Sequence, residues 1–368
     1  MTSFILSKET LLKPLQSVVT IADKKHTNPI LGTVLCRISD NKLILKAFDS
    51  ETEVIATIDL SSTSDNAIFT LPARKTIEIV RNLSDGAKIE ISYQENRQVI
   101  IRSGPSKFSL FSLDPKLFPT LNEDTGQSIF KLPLISLLQS LKRVQFAMAN
   151  NDFRYFLNGM LWEIEDNKFK TVATDGHRMA SSTTTIENIG LKSLQMIIPR
   201  KAILELQKTT IDYDSTAEVQ AGKNYFKLIL PGYQFASKLI DASYPDYSCV
   251  IPKNNNKHVV ANRNELKQAL LRTSILSNEQ YRGVRLRLEK NQLLLAANNP
   301  ENEQAEDGVP IKYNGQTIEV GFNIGYLLDV VNAVSGETID LYFDNAAMSL
   351  LIKDKTSNSL YVVSPIRL

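Results

Sequence analysis

One unit is written three times along this chain of 368 residues. Residues 32–50 (GTVLCRISDNKLILKAFDS), 159–176 (GMLWEIEDNKFKTVATDG) and 283–300 (GVRLRLEKNQLLLAANNP) align, with their glycines 127 and 124 residues apart. Each copy reads as a glycine, an alternating apolar strand, a polar turn and a second strand ending near an alanine. That pattern is a β-hairpin. A repeat of this period constrains the architecture more than any other feature, because one supersecondary package has to recur. The first copy carries one extra residue in its first strand, which predicts a bulge or a longer turn there.

The match extends on both sides of the hairpin. Upstream lie a short strand and a segment of helical period: Leu134, Leu137, Leu138, Leu141, Val144 and Met148 in the second copy, and Leu266, Ala269, Leu270 and Thr273 in the third. The first copy uses Leu11, Leu12, Leu15, Val18 and Val19, with Pro14 predicted to kink the helix. Pro133 is expected at a first helical position, and Asn262 with Glu265 reads as a capping-box variant. A second helix follows each hairpin, opened by Pro72, Pro199 or Asn323, and more alternating strands follow it. Each unit thus holds two helices and about eight strands, a pair of βαβββ halves. The fold class is α+β, in three tandem domains at residues 1–126, 127–253 and 254–368. The boundaries fall at the polar stretches 122–128 and 253–257.

Two cysteines in a chain this long, Cys36 and Cys249, fit a reducing cytoplasm, and no apolar run approaches membrane-span length. With three scattered histidines there is no basis for a structural zinc site. Net charge is only +2, but its distribution is uneven. The six helical segments carry thirteen basic residues against five acidic, a net +8, and the rest of the chain carries −6. Glutamate forms helices as well as lysine does, so its scarcity there points to a helical surface facing a polyanion. Contacts of that kind read phosphate and not sequence.

The stretch 172–180, VATDGHRMA, places Asp175 beside His177. An acid–base pair is one reading. No nucleophile elbow, phosphate loop or metal cluster accompanies it. Thr174-Asp175 falls where Phe48-Asp49 and Asn298-Asn299 fall in the other copies, so Asp175 and Gly176 read as turn formers. No cofactor is expected.

The triplicated unit, the stretch TVATDGHRMA and the ending VVSPIRL resemble the bacterial sliding clamp family, the β subunit of DNA polymerase III. Further matching stretches are Pro29-Ile30-Leu31-Gly32, Pro72-Ala73-Arg74-Lys75, Arg154-Tyr155-Phe156-Leu157, Tyr244-Pro245-Asp246-Tyr247, Ile275-Leu276-Ser277-Asn278-Glu279 and Asn298-Asn299-Pro300-Glu301. The resemblance implies a non-enzymatic, cytoplasmic processivity factor. It would be a head-to-tail homodimer closed into a ring, helices lining the hole and double-stranded DNA passing through. It implies a pocket for short peptides of the polymerase III α subunit, the clamp loader, and other polymerases and repair proteins. The pocket positions are Leu157, Thr174, Gly176, His177, Arg178, Met179, Pro245, Val250, Val362, Ser364, Pro365, Ile366 and Arg367. Carried over in the same way, DNA contacts fall on Lys25, Arg74, Lys75, Asn151, Phe156, Arg200 and Lys201. The ring junction pairs Phe108 and Leu110 with Ile275 and Leu276, while Lys75, Arg102 and Lys107 face Glu301, Glu303, Glu306 and Asp307. The chain departs from the commoner family pattern at Cys249, Ser364, Ile366 and Phe156. A nucleotide-processing enzyme using Asp175 and His177, and a repeat scaffold unrelated to DNA, are the alternatives.

Overall fold

A computed structural model describes residues 2–22, 28–61, 66–94, 96–121, 128–186, 193–208 and 214–367. The first copy runs β1 (Thr2–Ser7), α1 (Lys8–Val19), β2 (Thr33–Ser39), β3 (Lys42–Phe48), β4 (Thr52–Asp59), β5 (Ala67–Pro72), α2 (Ala73–Asn82), β6 (Lys88–Tyr93), β7 (Gln98–Ser103) and β8 (Ser106–Phe111). The second runs β9 (Ser128–Pro133), α3 (Leu134–Val144), β10 (Gly159–Glu165), β11 (Lys168–Thr174), β12 (Arg178–Thr185), β13 (Ser193–Pro199), α4 (Arg200–Leu206), β14 (Thr216–Ala221), β15 (Tyr225–Leu230) and β16 (Tyr233–Lys238). The third runs β17 (Lys257–Asn262), α5 (Arg263–Ser274), β18 (Gly283–Glu289), β19 (Gln292–Asn298), β20 (Gln304–Lys312), β21 (Ile318–Asn323), α6 (Ile324–Ala333), β22 (Thr338–Phe343), β23 (Leu350–Asp354) and β24 (Ser359–Val363). Each copy is therefore βαβββ written twice.

The three repeat hairpins have the same register. Ser39 faces Lys42, Glu165 faces Lys168 and Glu289 faces Gln292, so each turn holds two residues. In the first copy both turn residues, Asp40 and Asn41, take positive φ. Aspartate and asparagine tolerate that conformation, and a two-residue I′ hairpin needs it at both positions. The extra residue of the first copy makes no bulge, because the β2–β3 register is unbroken from Leu35↔Lys46 to Ser39↔Lys42. It lies ahead of the strand, where Gly32 closes a short 3₁₀ turn, Pro29–Gly32.

Each helix buries one stripe at i, i+3, i+4 spacing. Leu134, Leu137, Leu138, Leu141 and Val144 of α3 are buried, as are Leu266, Ala269, Leu270 and Thr273 of α5. Helix starts are capped by side chains: Ser7 Oγ accepts from Thr10 N–H, Asn262 Oδ1 from the amides of Asn264 and Glu265, and Asn323 Oδ1 from Tyr326 N–H. Pro133 is the last residue of β9, one position before the helix, and stands opposite Thr216 in the β9–β14 ladder. Pro14 sits inside the twelve-residue α1.

Strand pairing crosses the copies. β4 of the first copy pairs with β16 of the second, giving an eight-stranded sheet in the order β5-β2-β3-β4-β16-β15-β14-β9. β12 of the second copy pairs with β24 of the third, giving a twelve-stranded sheet from β13 to β21. Two compact units follow from these ladders: Met1–Ile135 with Leu204–Leu239, and Ser136–Ile203 with Ile240–Leu368. The middle copy is thus shared between them. The polar boundary at residues 122–127 lies outside the described residues.

Candidate functional site

The stretch 172–180 is the connection from β11 to β12, and its side chains build the turn. Asp175 Oδ1 accepts from the amides of His177 (2.9 Å) and Arg178 (3.0 Å). Thr174 Oγ1 donates to the Arg178 carbonyl (2.7 Å) and accepts from Gly176 N–H (3.1 Å). The Asp175 carboxylate is therefore spent on backbone amides and on Arg178 Nε at 3.0 Å. The His177 ring instead stacks on Tyr326, 6.4 Å between centroids. This is an Asx turn and not an acid–base pair.

Two arginines hold the turn. Arg154 donates to the Asp175 carbonyl (3.3 Å) and is itself fixed by Asp152 through Nε (3.1 Å) and Nη2 (2.9 Å). The Arg154 side-chain bonds hold the Asp152 carboxyl down to a pKa of about 2. Gly176 has φ of +88°, and a Cβ there would stand 3.1 Å from the Arg154 guanidinium. Arg178, on the other side, bonds Asp175, Asp329 and the Phe146 carbonyl. The sequence reading expected Arg178 to grip a peptide; the structure engages Nε, Nη1 and Nη2 within the chain.

The turn borders an apolar surface. β12 and β24 set Met179 opposite Val362. These two pack with Leu161, Val172, Ile197 and Leu351 in one buried cluster. Half-buried Phe156, Ile240, Ala242, Tyr244, Tyr247, Ile251, Tyr342 and Leu360 pack around it. Tyr244 Oη accepts from Thr174 N–H (3.1 Å), and burial pushes its phenol pKa up, so it stays protonated. Tyr247 Oη donates to Glu163 (2.6 Å) and accepts from Lys170 Nζ (2.8 Å), which ties the 3₁₀ turn Tyr247–Val250 to the sheet. Pro245 and Val250 are exposed beside it. The tail passes along the turn: Ser364 N–H donates to the His177 carbonyl and Ile366 N–H to the Gly321 carbonyl, both at 2.9 Å. Ser364, Pro365 and Ile366 are half-buried and Arg367 is exposed. Leu157 is fully buried, within a 3₁₀ turn whose Arg154 carbonyl accepts its amide.

The sequence reading did not single out Leu161, Val172, Ile197, Leu351, Tyr342 or Tyr244 for this surface. Tyr244 had a signal, its place beside Pro245. The others sit on ordinary alternating strands: β10 pairs Leu161 with Val172 and with Ile197, and the β12–β24 pairing adds the strands that carry Leu351 and Tyr342. Phe156, expected toward DNA, packs against the cluster instead. Its ring also meets Tyr155 edge-on, at 6.1 Å.

Of the other positions expected at DNA, Lys25 lies outside the described residues. Arg74 pairs with Glu78 on α2 (3.0 Å), Lys75 is exposed, and Asn151 is exposed with positive φ. Arg200 donates to the Met148 carbonyl (3.1 Å), bracing its own surroundings, and Lys201 is exposed. Lys208, counted with the helices from sequence, follows the end of α4. Helix α6 carries one acid and no base.

Of the junction positions, Phe108 and Leu110 lie on β8, the edge strand of a four-stranded sheet, β1-β6-β7-β8. With Lys75, Ile79 and Leu83 they line a cleft of about 410 Å³. Arg102 faces Lys107 across β7 and β8. Ile275 ends α5 with 76% of its surface exposed, and Leu276 is half-buried. Glu301, Glu303 and Glu306 are exposed. Asp307 already accepts from Arg272 of its own chain at 2.6 Å, which lowers the carboxyl pKa. β20 meets β17 only at Val260↔Lys312 and Ala261↔Ile311, so residues 304–310 keep one edge open among the described residues.

Three family models match in series: the N-terminal domain of DNA polymerase III beta subunit at residues 2–122, the central domain at 131–246 and the C-terminal domain at 248–367. The chain belongs to the beta sliding clamp family. It is 42% identical to the beta sliding clamp of Haemophilus influenzae and 41% identical to that of Escherichia coli K12, covering 99% of this chain and all of each relative. A crystal structure of the Pseudomonas aeruginosa DNA polymerase sliding clamp superposes with a TM-score of 0.96 at 37% identity, over the full length of both chains. Beta sliding clamps are non-catalytic processivity factors, and their partners are in general DNA and polymerases. The enzyme alternative and the scaffold unrelated to DNA are set aside. Among the described residues no helix is long and apolar enough to cross a membrane.

Proposed function

We propose that two copies of this clamp, each with domains at residues 1–126, 127–253 and 254–368, join head to tail into a ring in the cytoplasm. The ring encircles duplex DNA and carries one peptide groove per copy at the Met179–Val362 surface. Short apolar peptides of the polymerase III α subunit, the clamp loader, and other polymerases and repair proteins dock there. The observation that carries this reading is the apolar cluster itself: a buried centre with half-buried aliphatic and aromatic side chains around it, bounded by a fixed turn and by the chain's tail, suits an aliphatic and aromatic peptide. A sliding clamp of Pseudomonas aeruginosa bound to griselimycin, with a TM-score of 0.97 to this chain, adds support.

The junction reading rests on two open strand edges. β8 carries Phe108 and Leu110, and β20 carries Glu306 and Asp307. An unpaired edge is a template for a strand of another chain. For DNA, the exposed Lys75, Lys142 and Lys201 supply weak, exchangeable phosphate contacts. Clamp loaded on nicked circular plasmid should stay with the DNA through gel filtration and be released when the plasmid is cut once. Retention that ignores linearisation means direct binding and rejects encirclement.

A further inference from the structure

We infer that Arg178 is a positioning residue of the groove, acting through helix α6, and not a ligand of the bound peptide; this rests on the groove reading above. Its guanidinium is where three separate pieces of backbone meet. Nε donates to Asp175 Oδ2 in the turn (3.0 Å), Nη1 to Asp329 Oδ2 on α6 (2.5 Å), and Nη2 to the Phe146 carbonyl just past α3 (2.7 Å). The group also lies 4.3 Å from the Tyr326 ring centroid and 5.2 Å from that of Phe146. Only 11% of the side chain is exposed. A guanidinium so engaged has little left to offer a ligand, and its planar fork suits a three-way junction that lysine cannot copy.

The turn's shape depends on this junction. The Asp175 carboxylate that Arg178 holds is the one that organises the His177 and Arg178 amides. The His177 carbonyl in turn receives the tail through Ser364 N–H. Tyr326, one helical turn before Asp329, supports the His177 ring. Helix α6 thus reaches the groove twice, through Asp329 on Arg178 and through Tyr326 on His177. Asp329 itself lines a different cleft of about 400 Å³, with Gln139, Lys142, Arg143 and Gln145, and no lining residue of that cleft belongs to the apolar cluster. A change at Asp329 therefore reports on positioning without touching the peptide surface.

The test compares Asp329→Ala with Asp329→Glu in the full chain. Asp329 is partly exposed on a helix, so alanine there should fold normally, as thermal melting would verify. Calorimetry with acetylated Gln-Leu-Ser-Leu-Phe should find Asp329→Ala binding roughly three- to tenfold more weakly, the loss expected of one charge-assisted bond. Asp329→Glu should recover most of that affinity, a rescue that general destabilisation does not give. Full affinity in Asp329→Ala, with loss in Arg178→Met, overturns the inference and makes Arg178 a direct ligand. Hydrogen exchange on the free protein is the second arm. The amides of His177, Arg178 and Ser364 should exchange faster in Asp329→Ala, and unchanged protection overturns the staple whatever the peptide does. If the parent protein fails to bind the peptide, or Val362→Asp still binds it, the groove reading falls, and the exchange arm still judges the staple separately.

Discussion

The Ser364 amide donates to the His177 carbonyl at 2.9 Å, so the chain's last strand ends on the turn that opens β12. Half-buried Pro365 and Ile366 then follow, and Ile366 is bonded onward to Gly321. Deleting residues 364–368 removes one rim of the apolar surface and uncovers the His177 carbonyl. It leaves the β12–β24 ladder in place, since that pairing runs from Ser182↔Ser359 to Arg178↔Val363. The truncated protein should remain a dimer by sedimentation and lose binding of a Gln-Leu-x-Leu-Phe peptide in calorimetry. Undiminished affinity would place the peptide elsewhere.

Gly176 is required twice over. Its φ of +88° strains any side chain, and a Cβ would press on a guanidinium that Asp152 fixes at two points, Nε and Nη2. Gly176→Ala should cost about 1–3 kcal/mol of stability, read from urea unfolding. It should also weaken peptide binding, because the turn cannot keep both its φ and its Arg154 bond. Adding Arg154→Ala removes the steric part alone. The double variant should then lie closer to Arg154→Ala than the two single losses would sum to. Strict additivity would mean that the guanidinium gives way freely.

The Asp152–Arg154 pair predicts a pH dependence. In the folded chain Arg154 holds the Asp152 pKa at about 2, below the roughly 3.9 of an unfolded aspartate. The folded state thus binds its proton more weakly than the unfolded state does. The stabilisation is complete above pH of about 4 and drains away as pH falls toward 2. Asp152→Asn should be less stable than the parent at pH 7. The gap in urea midpoint should begin to close as pH drops below about 4. A gap that stays constant down to pH 3 would show that the carboxylate's charge contributes nothing there.

Much of this was readable beforehand, and the reason is local. The hairpin turns Asp40-Asn41 and Asp166-Asn167 announce themselves by residue type, and the stripes on α3 and α5 by spacing. Asp175 and Gly176 read as turn formers for the same reason. What stayed hidden is set by pairing between distant segments. Nothing around Asp329 marks it as a partner of Arg178, 151 residues away. Nothing in β22 or β23 assigns Tyr342 and Leu351 to the groove. Aligning glycine with glycine puts the extra residue of the first copy inside its first strand, as a bulge or a longer turn. The backbone instead aligns Thr33 with Gly159 and Gly283 as first residues of their strands. Phe156 is placed among the DNA contacts only by the family resemblance, from whose commoner pattern it departs. Without a hydroxyl to satisfy, its ring has no reason to avoid the apolar cluster.

The ring junction yields the last prediction. Ile275 keeps 76% of its surface exposed at the end of α5, and Leu276 beside it is half-buried. An isolated exposed isoleucine is unremarkable in itself. Here it follows α5, whose Arg272 bonds Asp307 on β20, and the first copy offers Phe108 and Leu110 on an open edge of its own. Burying two such aliphatic side chains removes enough apolar surface to contribute about 1.5–3 kcal/mol each. Truncating both should therefore raise the dimer dissociation constant by a factor on the order of 100 or more. Ile275→Ala with Leu276→Ala should sediment as single chains at micromolar concentration, with circular dichroism unchanged. Because an open chain cannot hold a circle, the same protein should also fail to stay on nicked plasmid. A double variant that still sediments as a dimer would assign the junction to other residues.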